Sequence, residues 1–528
     1  MPRPGWGRFR TPRPHADRKR PALSTWVAFG AIACLLGIWS LATPLWSTPD
    51  APSHEMAAYA IGHGDLTPEF SSDEAFGVNT NAVVHVPKGI VRSAQSAVCY
   101  FFHPETPASC IRAVGDSEKQ VRYLTSAGRS FPVYYGLTGI ASNFGDNLQS
   151  LYLQRAAAIG LCAWMLAWAV AGCLSLRRPA VAVTGVAVSF TPMLAYLGGA
   201  VNPNTFEIAA AYALVACSIA FYSHAADGSG EKWLRRAMVA AMILGSTRIL
   251  GPAWLAVWAV ALLIIYGRRA VTDVWKARSR LWLALPVLGV LANMAWLSRS
   301  GANNIREQPL FDLSFAERLD LSATQINQSL TQMIGAFGWL DTALPANLLI
   351  SYMALLVVIL ALGWAGLRPR QIAAGGAVLL LSWLLPVLLQ AWKWNLQGPV
   401  WQGRYMLPTI GMAPILLLCL AAQSPLSDAQ WNTRTIHWTR IGALAGLGVL
   451  HLWAFATLMQ RNVHGVGAPG GEHPTLPAWQ PPLGQTTLTL ALVATMAVII
   501  TLIARLSSQV PSPVADPPSL PSPQSPSD

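Results

Sequence analysis

Charge is what this chain has least of. Only 11% of its 528 residues are Asp, Glu, Lys or Arg, against roughly 25% in an ordinary soluble domain, and 53% are hydrophobic. Water is therefore not its main solvent, and the apolar content excludes a disordered or collagen-like chain. Cysteine is sparse, with seven residues scattered along the sequence, which excludes a small disulfide-built scaffold. No Walker loop, dinucleotide glycine pattern, zinc spacing or nucleophile elbow occurs, which argues against nucleotide-driven and hydrolase chemistry. Acids are scarcer than bases, 24 against 36. The excess is not a nucleic-acid face, because Arg3, Arg8, Arg10, Arg13, Arg18, Lys19 and Arg20 crowd before the first apolar run, where they set topology and touch anionic lipid.

What remains is a series of apolar runs of about 20 residues, each long enough to cross a hydrocarbon core about 30 Å thick. The spans fall at about 26–46, 151–174, 180–200, 205–224, 281–298, 345–366, 371–391, 405–423, 441–460 and 485–505. The first is read as a retained span, since its apolar part exceeds that of a signal sequence and no small-x-small cleavage site follows. The stretch 237–266 is too long for one crossing and is interrupted by Gly245-Ser-Thr-Arg248-Ile-Leu-Gly-Pro252, so it reads as a broken hairpin of two half-helices. The sequence thus predicts an all-α polytopic membrane protein of about twelve segments. Basic residues in the short loops put both termini in the cytoplasm. On this division residues 1–25 are a basic cytoplasmic tail and 151–298 a bundle containing the hairpin. A second bundle covers 345–505, and the Pro- and Ser-rich 506–528 is a disordered tail.

Two long loops face outward on this topology. Residues 47–150 are expected to fold as a small mixed domain, and 299–344 are polar before ending in Gly335-Ala-Phe-Gly-Trp-Leu-Asp341-Thr-Ala-Leu-Pro345; loops of this length are usually functional. Cys34, Cys162, Cys173, Cys217 and Cys419 lie in spans as apolar fillers. Cys99 and Cys110 lie in the first long loop, in the compartment where disulfides persist, and are expected to bond. Free thiols or a metal site are the alternatives, although His103 completes no ligand spacing.

Candidate chemistry begins where the first span ends, in Pro49-Asp50-Ala-Pro-Ser-His54-Glu55. A carboxylate fixed at the membrane surface can take the proton of a hydroxyl attacking a lipid-linked sugar; Asp50 is the preferred base and Glu55 the second. Asp50 could instead cap a loop helix starting near Ser53, and His54 either orients an acid or bonds to the loop. Arg248 falls within the break of the hairpin, where a charge needs a partner or a wet cavity. A lipid phosphate suits its donor fork, and an ion pair with Glu207 is the alternative. Lys393 and Arg404 bracket Lys393-Trp-Asn-Leu-Gln-Gly-Pro-Val-Trp-Gln-Gly-Arg404-Tyr405 and suit the same phosphate. Trp394 and Trp401 stack on sugars or belong to the interfacial aromatic belt. Asn202-Pro-Asn204 is a turn with amides available to a sugar, and Asp341 either binds an acceptor or caps a re-entrant helix.

Five landmarks, Pro49-Asp50-Ala-Pro-Ser-His54, Phe131-Pro-Val-Tyr-Tyr135-Gly, Val201-Asn-Pro-Asn204, Gly338-Trp-Leu-Asp341-Thr-Ala-Leu-Pro345 and Gln402-Gly-Arg404-Tyr405, occur in an order that resembles the bacterial membrane family called domain of unknown function 2142. The resemblance runs from about residue 25 to 460. The layout of that family is similar to the GT-C glycosyltransferases, which use polyprenyl-phosphate-linked sugars and carry an essential acid in the first external loop. The resemblance implies a GT-C-like enzyme of the cell membrane. Such an enzyme moves a sugar from a lipid-linked donor to a cell-envelope glycan acceptor on the external face. A transporter or flippase of lipid-linked glycans and a noncatalytic envelope assembly protein are the rivals. The family commonly has Glu after the Asp, where this chain has Ala51. A divalent metal is compatible with acids near residue 50, but the paired-acid form of such a site is weakened.

Overall fold

The computed structural model describes residues 24–66, 69–72, 80–300, 309–364, 366–424, 434–467 and 476–507. The basic segment 1–23 and the tail beyond residue 507 lie outside the described residues, as does 301–308 of the second long loop. In chain order the helices are α1 (Thr25–Leu41), α2 (Ala51–Gly62), α3 (Lys88–Ser96), α4 (Val133–Gly139), α5 (Asn147–Leu174), α6 (Pro179–Ser189) and α7 (Pro192–Gly198). They continue with α8 (Pro203–His224), α9 (Glu231–Thr247), α10 (Gly251–Tyr266), α11 (Arg269–Lys276), α12 (Ala284–Arg299) and α13 (Phe315–Ile334). The last are α14 (Ala346–Trp364), α15 (Pro369–Gln397), α16 (Leu407–Gln423), α17 (Arg434–Val463) and α18 (Gln485–Ser507). Strands β1 (Glu69–Ser72), β2 (Thr80–Pro87) and β3 (Gln120–Thr125) form an antiparallel sheet, and β4 (Ala336–Phe337) pairs with β5 (Thr342–Ala343).

All twelve expected segments fall on helices, but the number of crossings does not follow from them. By length and apolarity seven of the described helices can cross a membrane, or up to nine if each of two bent pairs is one span. Two departures have local causes. The first span is shorter than 26–46: α1 stops at Leu41, ahead of Pro44, and Trp46 turns into the structure. The run 180–200 is not straight, because α6 ends at Ser189 and the Thr191 hydroxyl caps α7, with Pro192 in its first turn; the two helices meet at 72°. Proline removes an amide hydrogen and fits a helix only at its start.

The inner helix is α8, nearly all of which is buried among α5, α9 and α16. Its alanine-rich face permits close approach: a Cβ on Gly172 of α5 would lie 2.9 Å from the Ala216 carbonyl carbon. By contrast α12, α14 and α18 leave apolar side chains such as Leu291, Val357 and Leu490 exposed, which places hydrocarbon around them. The segment between α1 and α5 forms a mixed cap in which the three-stranded sheet packs beside α2 and α3 over a second apolar cluster of Trp46, Met56, Val84, Val86 and Ile90. Cys99 and Cys110 are disulfide-bonded there. The polar reading of 299–344 misses α13, a helix that opens on a reciprocal Ser314–Glu317 capping box and packs on α15.

Candidate functional site

Asp50 stands at the N-terminus of α2 with φ +61°, a left-handed conformation that Asp adopts more readily than most residues. Its side chain makes no cap bond. It pairs instead with Nη2 of Arg404, a residue 354 positions away, in the turn Gly403–Tyr405 before α16. The same guanidinium donates to the Pro49 carbonyl at 3.4 Å and to the Tyr405 hydroxyl at 3.3 Å. Gly403 makes this turn feasible: its amide donates to Gln332 Oε1 of α13 at 2.8 Å, and a Cβ would overlap the Ser329 carbonyl. Arg404 is 1% exposed whereas the Asp50 side chain is 44% exposed, so the acid is the accessible member of the pair and the guanidinium is covered. Burial pushes the Asp50 carboxyl up, but the charge and hydrogen bond of Arg404, with the charge of Arg248, outweigh it and hold the carboxyl below its ordinary range. The Arg404 guanidinium is held more basic than usual by Tyr405 and Asp50 despite its burial.

One turn along α2, buried His54 places Nδ1 2.8 Å from the Tyr135 hydroxyl of α4. Burial pushes this imidazole down to about 3, so it is neutral at any working pH, and its Nε2 has no partner among the described residues. Arg248 ends α9, and its guanidinium carbon lies 5.4 Å from the centre of the Tyr405 ring, to which Arg404 approaches within 5.2 Å. The Arg248 charge acts on Asp50, His54, Arg129, Tyr135 and Glu207, which makes it the electrostatic centre of the group. It forms no ion pair with Glu207 among the described residues. The break that carries it is held by Asn293 of α12, whose amide donates to the Gly245 and Arg248 carbonyls at 3.1 and 3.0 Å. Burial, and then Arg248, lower the basicity of Arg129 at the edge of the cap.

The remaining sequence candidates divide sharply. Glu55 does not join Asp50 and Arg404: it is fully buried, with Oε1 3.1 Å from Nε of Arg155, whose other nitrogens donate to the Thr43 and Pro44 carbonyls at 2.8 and 3.1 Å. Burial raises the Glu55 carboxyl while Arg155 opposes the shift; its place is a brace rather than a second base. Asp341 neither caps a re-entrant helix nor faces open space. It accepts from Nε and Nη2 of Arg461 at 3.3 and 3.2 Å, and Arg461 also donates to the Thr106 and Tyr100 carbonyls. Lys393 lies 5.8 Å over the exposed Trp392 ring, at the periphery, and Trp394 is buried at the end of α15. Trp401 does join the group, edge-on to Tyr405 at 5.9 Å.

Asn202 caps α8 by accepting from the Asn204 amide at 3.0 Å. The Asn204 side chain and Glu207 Oε1 are buried without partners among the described residues. Among the described residues no three His, Cys, Asp or Glu side chains gather as a metal set. Asp50 and His54 offer two donors, and Glu55 is committed to Arg155. Sequence reasoning missed Tyr135, Tyr405 and Arg129 as members of the site. The first two stood in the family landmarks, whereas Arg129 carried no signal of its own.

No curated protein matches the chain. Among solved structures it is similar to ArnT from Cupriavidus metallidurans in the apo state, with 14% identity, 92% of this chain and 77% of that chain covered, and a TM-score of 0.39. It is also similar to the same protein bound to undecaprenyl phosphate, with 14% identity, 93% and 78% covered, and a TM-score of 0.36. The family model described as predicted membrane protein DUF2142 matches residues 34–413, and the chain belongs to that family.

Proposed function

We propose that the protein is a membrane glycosyltransferase that moves a sugar from a polyprenyl-phosphate carrier to a hydroxyl of a cell-envelope glycan. The observation that carries this reading is the half-exposed acid Asp50 paired with Arg404, with Arg248 across the Tyr405 ring. The acceptor oxygen attacks the anomeric carbon, the bond from that carbon to the phosphate oxygen breaks, and the carrier phosphate leaves with the bonding pair. Asp50 takes the hydroxyl proton as the oxocarbenium-like charge develops. Arg248 and Arg404 neutralise the departing phosphate, the role guanidinium groups fill best. A phosphate arriving at Arg404 competes with Asp50 for the same donors and leaves the carboxylate free to act as a base. The resemblance to GT-C enzymes, with their acid in the first external loop, supports the reading. The basic residues of the short loops put 47–150 outward and both termini in the cytoplasm on this reading.

The test is transfer by the purified protein from a panel of polyprenyl-phosphate sugars, followed as release of polyprenyl phosphate. Asp50→Asn slows release by about a hundredfold or more if the proposal holds. The break at Arg248 would also suit a flippase of lipid-linked glycans, and movement of intact donor across vesicles without bond cleavage would favour that reading instead.

A further inference from the structure

The start of α9 gathers cations that the Asp50 group does not use. Its first turns read Glu231-Lys232-Trp-Leu-Arg235-Arg236, and Trp233, Leu234 and Ala237 are buried. Lys232, Arg235 and Arg236 stand at i, i+3 and i+4 and so share the other face of the helix. Lys232 lies about 24 Å along α9 from Arg248 at 1.5 Å per residue, which puts this face at the end of the bundle remote from Asp50. A shallow pocket opens there, lined by Lys232, Arg235, Arg236 and Val239 of α9, Trp168 of α5 and Trp282 of the turn Arg278–Leu283 that precedes α12.

Indole rings order two of the cations. The Arg236 guanidinium carbon lies 5.3 Å from the centre of the Trp168 ring and 5.2 Å from that of Trp233, and Lys232 Nζ lies 4.8 Å over Trp233. A ring face attracts the charge but leaves N–H groups able to donate to an oxygen. Among the described residues no oxygen accepts from the side chains of Lys232, Arg235 or Arg236. No acid lines the pocket. Glu231 beside it is committed to the turn, accepting from the Arg278 and Ser279 amides at 2.9 and 2.8 Å, and so fixes the segment that carries Trp282.

The bias of cations towards one membrane face accounts for their number, but not for three of them meeting two tryptophans from separate elements around one pocket. Basic pockets between spans, at headgroup depth, recognise anionic lipid. Phosphate oxygens match the guanidinium fork, and indoles suit the boundary between headgroups and chains. Exposed Leu281 and Leu288, on either side of Trp282 in sequence, offer apolar surface to the acyl chains.

We propose that this pocket holds the headgroup of an anionic phospholipid in the leaflet opposite Asp50, its phosphate against Lys232, Arg235 and Arg236 between Trp168 and Trp282. The site is independent of the Asp50 group and stands whether or not the protein transfers sugars.

The test uses the full chain purified in neutral detergent and titrated with phosphatidylglycerol or phosphatidylcholine, with the thermal unfolding midpoint as the readout. Phosphatidylglycerol raises the midpoint of the wild type, and the zwitterionic lipid at the same concentration does not. Lys232→Gln and Arg235→Gln, both at exposed positions, each weaken the apparent affinity for phosphatidylglycerol about fivefold, the equivalent of about 1 kcal/mol per surface cation. Arg269→Gln, which removes an exposed cation outside the pocket, leaves the titration unchanged. Equal stabilisation by phosphatidylcholine, or a titration identical to wild type in either pocket variant, overturns the proposal. A loss in Arg269→Gln as large as theirs would reduce the effect to diffuse attraction between charged surfaces. Displacement of the lipid shift by inorganic phosphate at matched ionic strength would make the pocket a site for free anions, and either result overturns the proposal too.

Discussion

Replacing Asp50 by Asn is the sharpest perturbation the site offers, because it removes one charge and almost no volume. The amide oxygen still accepts from Arg404, but it does not take a proton. General-base assistance contributes about 10²- to 10⁴-fold, so the transfer rate should fall by that factor, equivalent to about 3 to 5 kcal/mol of barrier. The cost in stability is much smaller. The ion pair joins a guanidinium that is 1% exposed to a carboxylate that is 44% exposed. It therefore lies between a surface pair worth under 1 kcal/mol and a buried pair whose breakage costs several, at about 1 to 2 kcal/mol. Arg404 retains its bonds to Pro49 and Tyr405. Single-turnover release of polyprenyl phosphate, measured beside the unfolding midpoint, separates the two effects. A variant that transfers within threefold of the wild-type rate would refute Asp50 as the base.

Glu55→Gln should slow transfer by less than tenfold per folded molecule, because Glu55 is fully buried against Arg155 and braces it; a loss as large as that of Asp50→Asn would contradict its placement. Arg461→Met strands the buried Asp341 carboxylate and should destabilise the protein by about 3 to 5 kcal/mol, read by denaturant or thermal unfolding, and unchanged stability would refute the brace. Arg248→Gln and Arg404→Gln should each weaken undecaprenyl phosphate binding by about 10- to 100-fold, the worth of a charged hydrogen bond, and wild-type affinity in both would remove the phosphate site. His54 titrates near 6.5 when unfolded and is pushed down to about 3 by burial. Protons therefore favour the unfolded chain: the His54 contribution is complete above about pH 6.5 and is lost towards pH 3, at about 1.4 kcal/mol per pH unit. His54→Gln should lack that slope between pH 6.5 and 4, and parallel curves for the two proteins would show that His54 is not responsible.

The apolar runs were legible because hydrocarbon demands unbroken hydrophobic length, and every one of them is helical. What sequence did not reveal were pairings. Asp50 and Arg404 each stood out alone, one by following a span and the other by preceding one, but their contact spans 354 positions. Glu55 resembled a catalytic acid until Arg155, 100 residues later, appeared beside it. The same blindness hid the partnership of Asp341 with Arg461. Other misses were avoidable. Pro192 marked the break between α6 and α7, and Ser314 with Glu317 announced α13, both ordinary helix-start signals. Arg129 carries no local signal, and only the return of the cap over the bundle brings it near Arg248.

Arg155 clasps both ends of the turn that carries Asp50, since Thr43 and Pro44 lie before the acid and Glu55 after it. The turn is thus a strap buckled at one guanidinium on α5. Mechanically the acid then belongs to α5 rather than to the first span, so tilting of α1 in a thicker or thinner bilayer is absorbed below residue 43. The height of the carboxylate above the bundle should therefore be indifferent to the lipid around it.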